Sequence, residues 1–168
     1  MDNHTTVTLR GTRLSSHFTL AEMTRSQWAS RHGVPNIPDD PVIIENLRQL
    51  CDNVLEPLRE LAGTPIVVSS GYRSPRVNRA VGGAKQSQHM LGEAADITAL
   101  EMSTKGLFDV LRFSGIPFDQ LINEFDYAWV HVSYRRERLR RQVLAAVRTA
   151  KGTVYRPQRL LEVRNEGT

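Results

Sequence analysis

The stretch "SQHMLGEAADI", Ser87–Ile97, carries a histidine, a glycine, a glutamate and an aspartate within eleven residues. The run "EAADITAL" that begins inside it reads as a strand, so Asp96 lies within a strand and His89 just ahead of it. Gly92, between them, permits a backbone turn that lets the two side chains converge. Neither His89 nor Asp96 defines a site alone. What they do depends on partners elsewhere in the chain.

A partner stands in "WVHVSY", Trp129–Tyr134. Strand periodicity puts Trp129, His131 and Ser133 on one face and Val130, Val132 and Tyr134 on the other. His89, Asp96 and His131 together suit Zn²⁺, and three protein ligands leave the fourth tetrahedral position open, as in catalytic rather than structural sites. Zinc lowers the pKa of its water to roughly 7. Two neutral ligands and one carboxylate leave the centre formally positive, able to polarise a carbonyl. Spacing alone leaves the metal open, because a His and an Asp six residues apart, with a distant second His, arise by chance in many chains. A lone histidine is more often a satisfied polar residue.

Outward from these motifs the chain reads as alternating helices and strands. "SSHFTLAEMTRSQWASRHGV" is a short helical element, with Thr19 and Glu22 in the capping-box pattern. After the connector "PNIPDDP", a long helix is expected over Pro41–Leu61, its apolar residues at helical spacing, with a kink or a break near Val54–Glu56 caused by Pro57. "PIVVSSGYR" is a buried strand ending in a Ser/Gly turn, followed by loop with one helical turn at Pro75–Val81. "STKGLFDVLRFSGI" is an amphipathic helix capped by Ser103, and "FDQLINEF" and "WVHVSY" are strands around a turn at Asp126. "RQVLAAVRTAKGTVYRP" is either a closing hairpin around Ala150–Gly152 or a helix ending at Gly152, and the hairpin is preferred. This order suggests an α+β domain with a mostly antiparallel sheet.

The 168 residues, 40% apolar and 24% charged, suit one globular domain over 1–168. Residues 1–16 are expected to be a flexible lead-in. The start has no apolar h-region, so no Sec signal peptide is expected, and no run approaches the ~20 apolar residues that span a bilayer. The single cysteine, Cys51, excludes an intramolecular disulfide and a cysteine-rich zinc site, and falls on the apolar stripe of a helix. Charge is uneven: residues 135–168 hold ten Lys/Arg against three Asp/Glu, a net +7, whereas residues 1–134 carry net −3. This basic C-terminal segment is either a solvated face or a contact for an anionic envelope.

"SGYRSPRVNRAVGG", "SQHMLGEAADI", "FDQLI" with Glu124, and "WVHVS" together resemble the zinc D-Ala-D-Ala carboxypeptidase family, which includes phage endolysins that cut L-alanyl-D-glutamate bonds. The family motif Ser-x-His-x-x-Gly-x-Ala-x-Asp matches at Ser87, His89, Gly92, Ala94 and Asp96, and its Trp shortly before a His at Trp129 and His131. The resemblance runs from about Phe18 to Tyr134 and is nearest to small phage and prophage members. It implies a hedgehog/DD-peptidase fold, with zinc held on the sheet by His89, Asp96 and His131. It also implies that Arg73, in Ser-Gly-Tyr-Arg, contacts substrate and stabilises the oxyanion.

The resemblance implies a zinc peptidase acting on peptidoglycan stem or cross-link peptides, as carboxypeptidase or endopeptidase. Many relatives place an acid three residues before the last ligand, where this chain has Ala128, so the general base is Glu124 or Asp126, with Glu124 preferred. Ser87 and Gln88 either contact substrate and orient a ligand or only shape the loop, and Tyr72 and Trp129 are either core or substrate-contacting. Glu93 is taken as a solvated charge, and His4, His17 and His32 as non-ligands. A phage protein without a signal peptide would reach the wall from the host cytoplasm through a holin, or be carried in the virion, and work as a monomer. Two other classes compete: a catalytically silent zinc-bearing module of the same fold, and a nucleic-acid binder using Arg135–Arg141, which lacks any recognition motif.

Overall fold

Alternating side chains along the strands build a sheet with two unlike faces. In the computed structural model, which describes residues 11–158, the strands are β1 (Ile66–Ser70), β2 (Ala94–Ala99), β3 (Gln120–Glu124), β4 (Trp129–Ser133), β5 (Gln142–Thr149) and β6 (Gly152–Pro157). They form a six-stranded sheet in the order β1-β2-β4-β3-β5-β6. Neighbours are antiparallel except β3 and β5, which run parallel. Directly opposed residues share a face. Ala95, Ile97, Val130, Val132 and Leu121 therefore stand together, fully buried. The opposite face carries Asp96, His131, Ile122 and Leu144 in one row across four strands.

Helices cover the apolar face. α6 (Thr104–Phe113) starts where the Ser103 hydroxyl accepts the Gly106 N–H, and it buries Leu107, Phe108 and Leu111. α3 (Pro41–Leu50) and α4 (Glu56–Ala62) are joined by a π turn over Cys51–Leu55. Pro57 has no N–H to offer the preceding turn, and the widened turn lies just upstream of it, overlapping the stretch where a kink or break was expected. Leu47, Leu50, Val54, Leu55 and Leu58 are fully buried with Cys51, whose thiol burial pushes far above its ordinary pKa. Cys51 is core, as its position on the stripe suggested.

The expected N-terminal helical element is two helices, α1 (Leu20–Met23) and α2 (Gln27–His32). Thr19 and Glu22 form the capping box of the first, and Ser26 interrupts the run by capping the second. α5 (Pro75–Ala80) is capped by Ser74. The hairpin preferred over a terminal helix is present as β5–β6. Its parallel run along β3 was not expected; residues 134–141 bring the chain back so that Gln142 N–H donates to the Asp119 carbonyl.

The expected flexible lead-in, residues 1–16, lies mostly outside the described residues. In the part described, Leu14 is buried in the core, and the Ser15 hydroxyl donates to Glu56 at 2.6 Å. Local hydrogen bonds and an apolar anchor hold this stretch. Of the basic C-terminal segment, residues 159–168 lie outside the description. Among the described residues no helix is long and apolar enough to cross a membrane.

Candidate metal centre and active site

His89 sits in a 3₁₀ turn, Gln88–Leu91, closed by Gly92 at φ 70°. A Cβ at Gly92 would lie 2.5 Å from the Ile43 carbonyl oxygen, so glycine is required both by the left-handed backbone and by the close approach of α3. The His89 Nδ1–H donates to the Gly71 carbonyl at 2.6 Å. That bond selects the tautomer in which Nε2 carries the lone pair. Burial lowers the pKa of His89, which keeps the ring neutral and competent as a ligand.

Nε2 of His89 lies 3.3 Å from Oδ1 of Asp96 and 3.2 Å from Nδ1 of His131, and that Nδ1 lies 3.0 Å from the same Oδ1. Donors placed ~2.0–2.1 Å from a tetrahedral metal stand ~3.3 Å apart. The triangle thus has the dimensions of one face of such a shell. The antiparallel register that sets Asp96 opposite His131 supplies two of its corners. Among the described residues, these three form the group of His, Cys, Asp or Glu able to hold a metal ion.

Asp96 divides its oxygens. Oδ1 faces the imidazoles, while Oδ2 accepts from Arg73 Nη2. Burial opposes a charged Asp96, yet the imidazoles of His89 and His131 hold its carboxyl far below the ordinary range. Arg73 is itself fixed, Nε donating to Ser70 Oγ at 2.8 Å and its backbone N–H to the His89 carbonyl. The register of β1 against β2 shifts between Val68 and Ser70, and this bulge aims Ser70 at the guanidinium. Arg73 therefore braces a carboxylate of the triangle, a role the sequence did not indicate.

Glu124 is opposite Trp129, two residues along β3 from the Ile122–His131 pair and on the same face. Its side chain is buried at the cleft, with no protein hydrogen-bond partner among the described residues. Burial raises its carboxyl pKa, reinforced by Asp96 and opposed by His131 and Arg73. Asp126 is exposed in a turn where Phe125, Asp126 and Tyr127 all have positive φ, and it does not line the cleft. Of the two acids considered as base, the fold brings Glu124 to the site.

The cleft encloses about 1020 Å³, walled on one side by the 81–88 loop and on the other by the β5–β6 hairpin. Ser87, Gln88 and Trp129 line it. Tyr72 belongs to the core. Gln88 Nε2 donates to Asp119 Oδ2 at 3.0 Å and to Glu93 Oε2 at 3.4 Å. Glu93 is not a solvated charge: it is buried and paired with Arg135 at 2.9 Å, a partner 42 residues away. Asp119, which sequence reasoning did not single out, is 1% exposed and takes two donors from the Arg140 guanidinium. His17 pairs with Glu56 and His32 stacks on Trp28, both apart from the triangle, and His4 lies outside the described residues.

No curated protein matches the chain. The sequence profile described as Peptidase M15 matches residues 16–133, a span that contains the whole triangle, Arg73 and Glu124. M15 peptidases are typically zinc-dependent, and the donor set here suits that ion. With most of its length matched, the chain belongs to the peptidase M15 family of D-Ala-D-Ala carboxypeptidase-like metallopeptidases.

Proposed function

We propose that this protein is a zinc-dependent hydrolase of peptidoglycan stem or cross-link peptides, of D-Ala-D-Ala carboxypeptidase or endopeptidase type, in the manner of phage endolysins. The observation that carries this reading is the triangle of donors at 3.0–3.3 Å, with one tautomer locked by Gly71, lying at a cleft lined by Glu124. Zinc held by His89, Asp96 and His131 would supply Lewis-acid polarisation of the scissile carbonyl and make water nucleophilic near neutral pH.

The chain's own residues do the rest. Glu124, buried and without a protein partner among the described residues, takes a proton from the attacking water and passes it to the leaving amine. Arg73 orients Asp96 through its bond to Oδ2. Its Nη1, without a protein partner among the described residues, is the donor for the oxyanion. Ser87 and Trp129 contact substrate from the cleft walls, and Gln88 positions the histidine turn through Asp119 and Glu93. Exposed Arg136 and Arg138 favour an anionic envelope surface.

Purified peptidoglycan incubated with the protein, with and without chelator, tests the reading by mass analysis of the released fragments. New free amines that vanish with chelator and return with zinc are expected. Intact walls beside a zinc-loaded, folded protein would instead identify a silent binding module.

A further inference from the structure

The β5–β6 hairpin lies beyond residues 16–133, the span matched by the family, yet it forms a wall of the cleft. Register puts its residues on the site face. Glu124 is paired with Ala146 across the parallel strands, and Ala146 with Tyr155 across the hairpin. Two residues further along, Arg148 is paired with Thr153. A strand rise of ~3.3 Å per residue sets this pair ~7 Å beyond the Glu124 row. Arg148, Thr153 and Tyr155 all line the cleft.

The charges of the cleft arginines differ in how they are met. Arg73 is matched by Asp96 and Arg140 by Asp119. Arg148 is exposed and has no carboxylate partner among the described residues, while its guanidinium carbon rests 4.6 Å from the centre of the Phe125 ring. The ring orients the guanidinium without neutralising it. We propose that Arg148, with the hydroxyls of Thr153 and Tyr155 beside it, forms a carboxylate subsite that selects peptide substrates bearing an acidic group. A planar guanidinium flanked by hydroxyl donors matches a carboxylate and loses its charge-assisted bonds to a carboxamide. Burial and the charges of Glu124 and Asp96 raise the Tyr155 phenol pKa, which keeps that hydroxyl a neutral donor. The subsite rests on the peptidase reading, which supplies the class of peptide.

Three peptides test it: L-Ala-γ-D-Glu-L-Lys-D-Ala-D-Ala, the same peptide with the D-Glu α-carboxylate as carboxamide, and the same peptide amidated at its C-terminus. Binding is measured by calorimetry to zinc-loaded Glu124→Gln protein, so that no turnover intervenes. One amidated peptide is expected to bind about tenfold or more weakly than the parent, the scale of a charge-assisted hydrogen bond. Adding Arg148→Gln should abolish the difference, and Arg148→Lys should restore part of it. Equal binding of all three peptides, no binding of any, or discrimination surviving Arg148→Gln would each overturn the subsite. Discrimination that persists while the unmutated zinc protein releases no amine would leave the subsite standing and remove the peptidase reading instead.

Discussion

Gly92→Ala tests whether the histidine turn is set by the close approach of α3. At φ 70° the new residue must adopt the left-handed conformation, which costs an L-residue roughly 1–2 kcal/mol. Its Cβ would also meet the Ile43 carbonyl oxygen at 2.5 Å and Ile43 Cγ2 at 3.0 Å. The carbonyl belongs to helix backbone and cannot rotate aside, so α3 or the turn must move, an overpacking of about 1–3 kcal/mol. Alanine restricts the unfolded chain and returns about 0.4–1 kcal/mol. The net expectation is a destabilisation of about 2–4 kcal/mol. Gly63→Ala is the control, because Gly63 has φ 63° and nothing within 4 Å of a Cβ; it should lose only ~1 kcal/mol. Urea denaturation of the metal-free proteins measures both. Because His89 lies on the turn that shifts, zinc affinity measured against a competing chelator should fall roughly 10-fold or more in Gly92→Ala, as when a ligand's support is disturbed. Equal destabilisation of the two variants would refute the role of α3. A full stability loss with unchanged zinc affinity would separate the turn from the metal centre.

Alanine at His89, Asp96 or His131 should abolish stoichiometric zinc together with hydrolysis, and metal analysis of a purified His131→Ala protein still holding one zinc would remove that ligand. Arg73→Ala should retain zinc at saturation with affinity roughly 10- to 100-fold weaker, since it braces Asp96, and should lose turnover; near-normal kcat would dismiss its oxyanion role. Glu124→Gln should keep zinc and lose turnover by about 10² or more, while Asp126→Asn is mild; the reverse ranking would move the base to the turn. Asp119 has its pKa lowered: burial opposes ionisation, but the Arg140 and Gln88 bonds more than offset it. Its contribution is therefore present above the unfolded value of ~3.9 and lost as pH falls through the lower folded value. Asp119→Asn should cost about 1.5–3 kcal/mol at neutral pH and flatten that acid limb in denaturation curves; an unchanged limb would show that the pair contributes nothing.

Residue type made the strands and the metal-capable side chains legible. The period-two alternation of "WVHVSY" set His131 opposite the apolar Val130 and Val132, and the sheet uses it that way. What alternation did not reveal is register, and register is what brings Asp96 face to face with His131. The Gly71 carbonyl that orients His89 was invisible for a different reason: a backbone acceptor carries no residue signature. Long-range ion pairs were lost likewise. Glu93 reads as a solvated charge when its neighbours in sequence are considered, because its partner is 42 residues away, and Asp119 meets Arg140 across 21 residues.

Those two pairs alter the meaning of the basic C-terminal segment. Counted as charge, residues 135–168 are a net +7 and suggest a polyanion contact. In the fold, Arg135 and Arg140 are neutralised by Glu93 and Asp119, and both acids also take the Gln88 amide immediately before His89. The start of the segment thus straps the returning chain to the histidine turn and holds β5 beside β3, which lets the hairpin wall the cleft. An anionic envelope would be met by the exposed arginines that remain, Arg136 and Arg138 among them, and not by the run as a whole. Loss of Arg135 or Arg140 would therefore register first in the cleft wall and the histidine turn, while loss of Arg136 or Arg138 would register only in salt-sensitive wall binding.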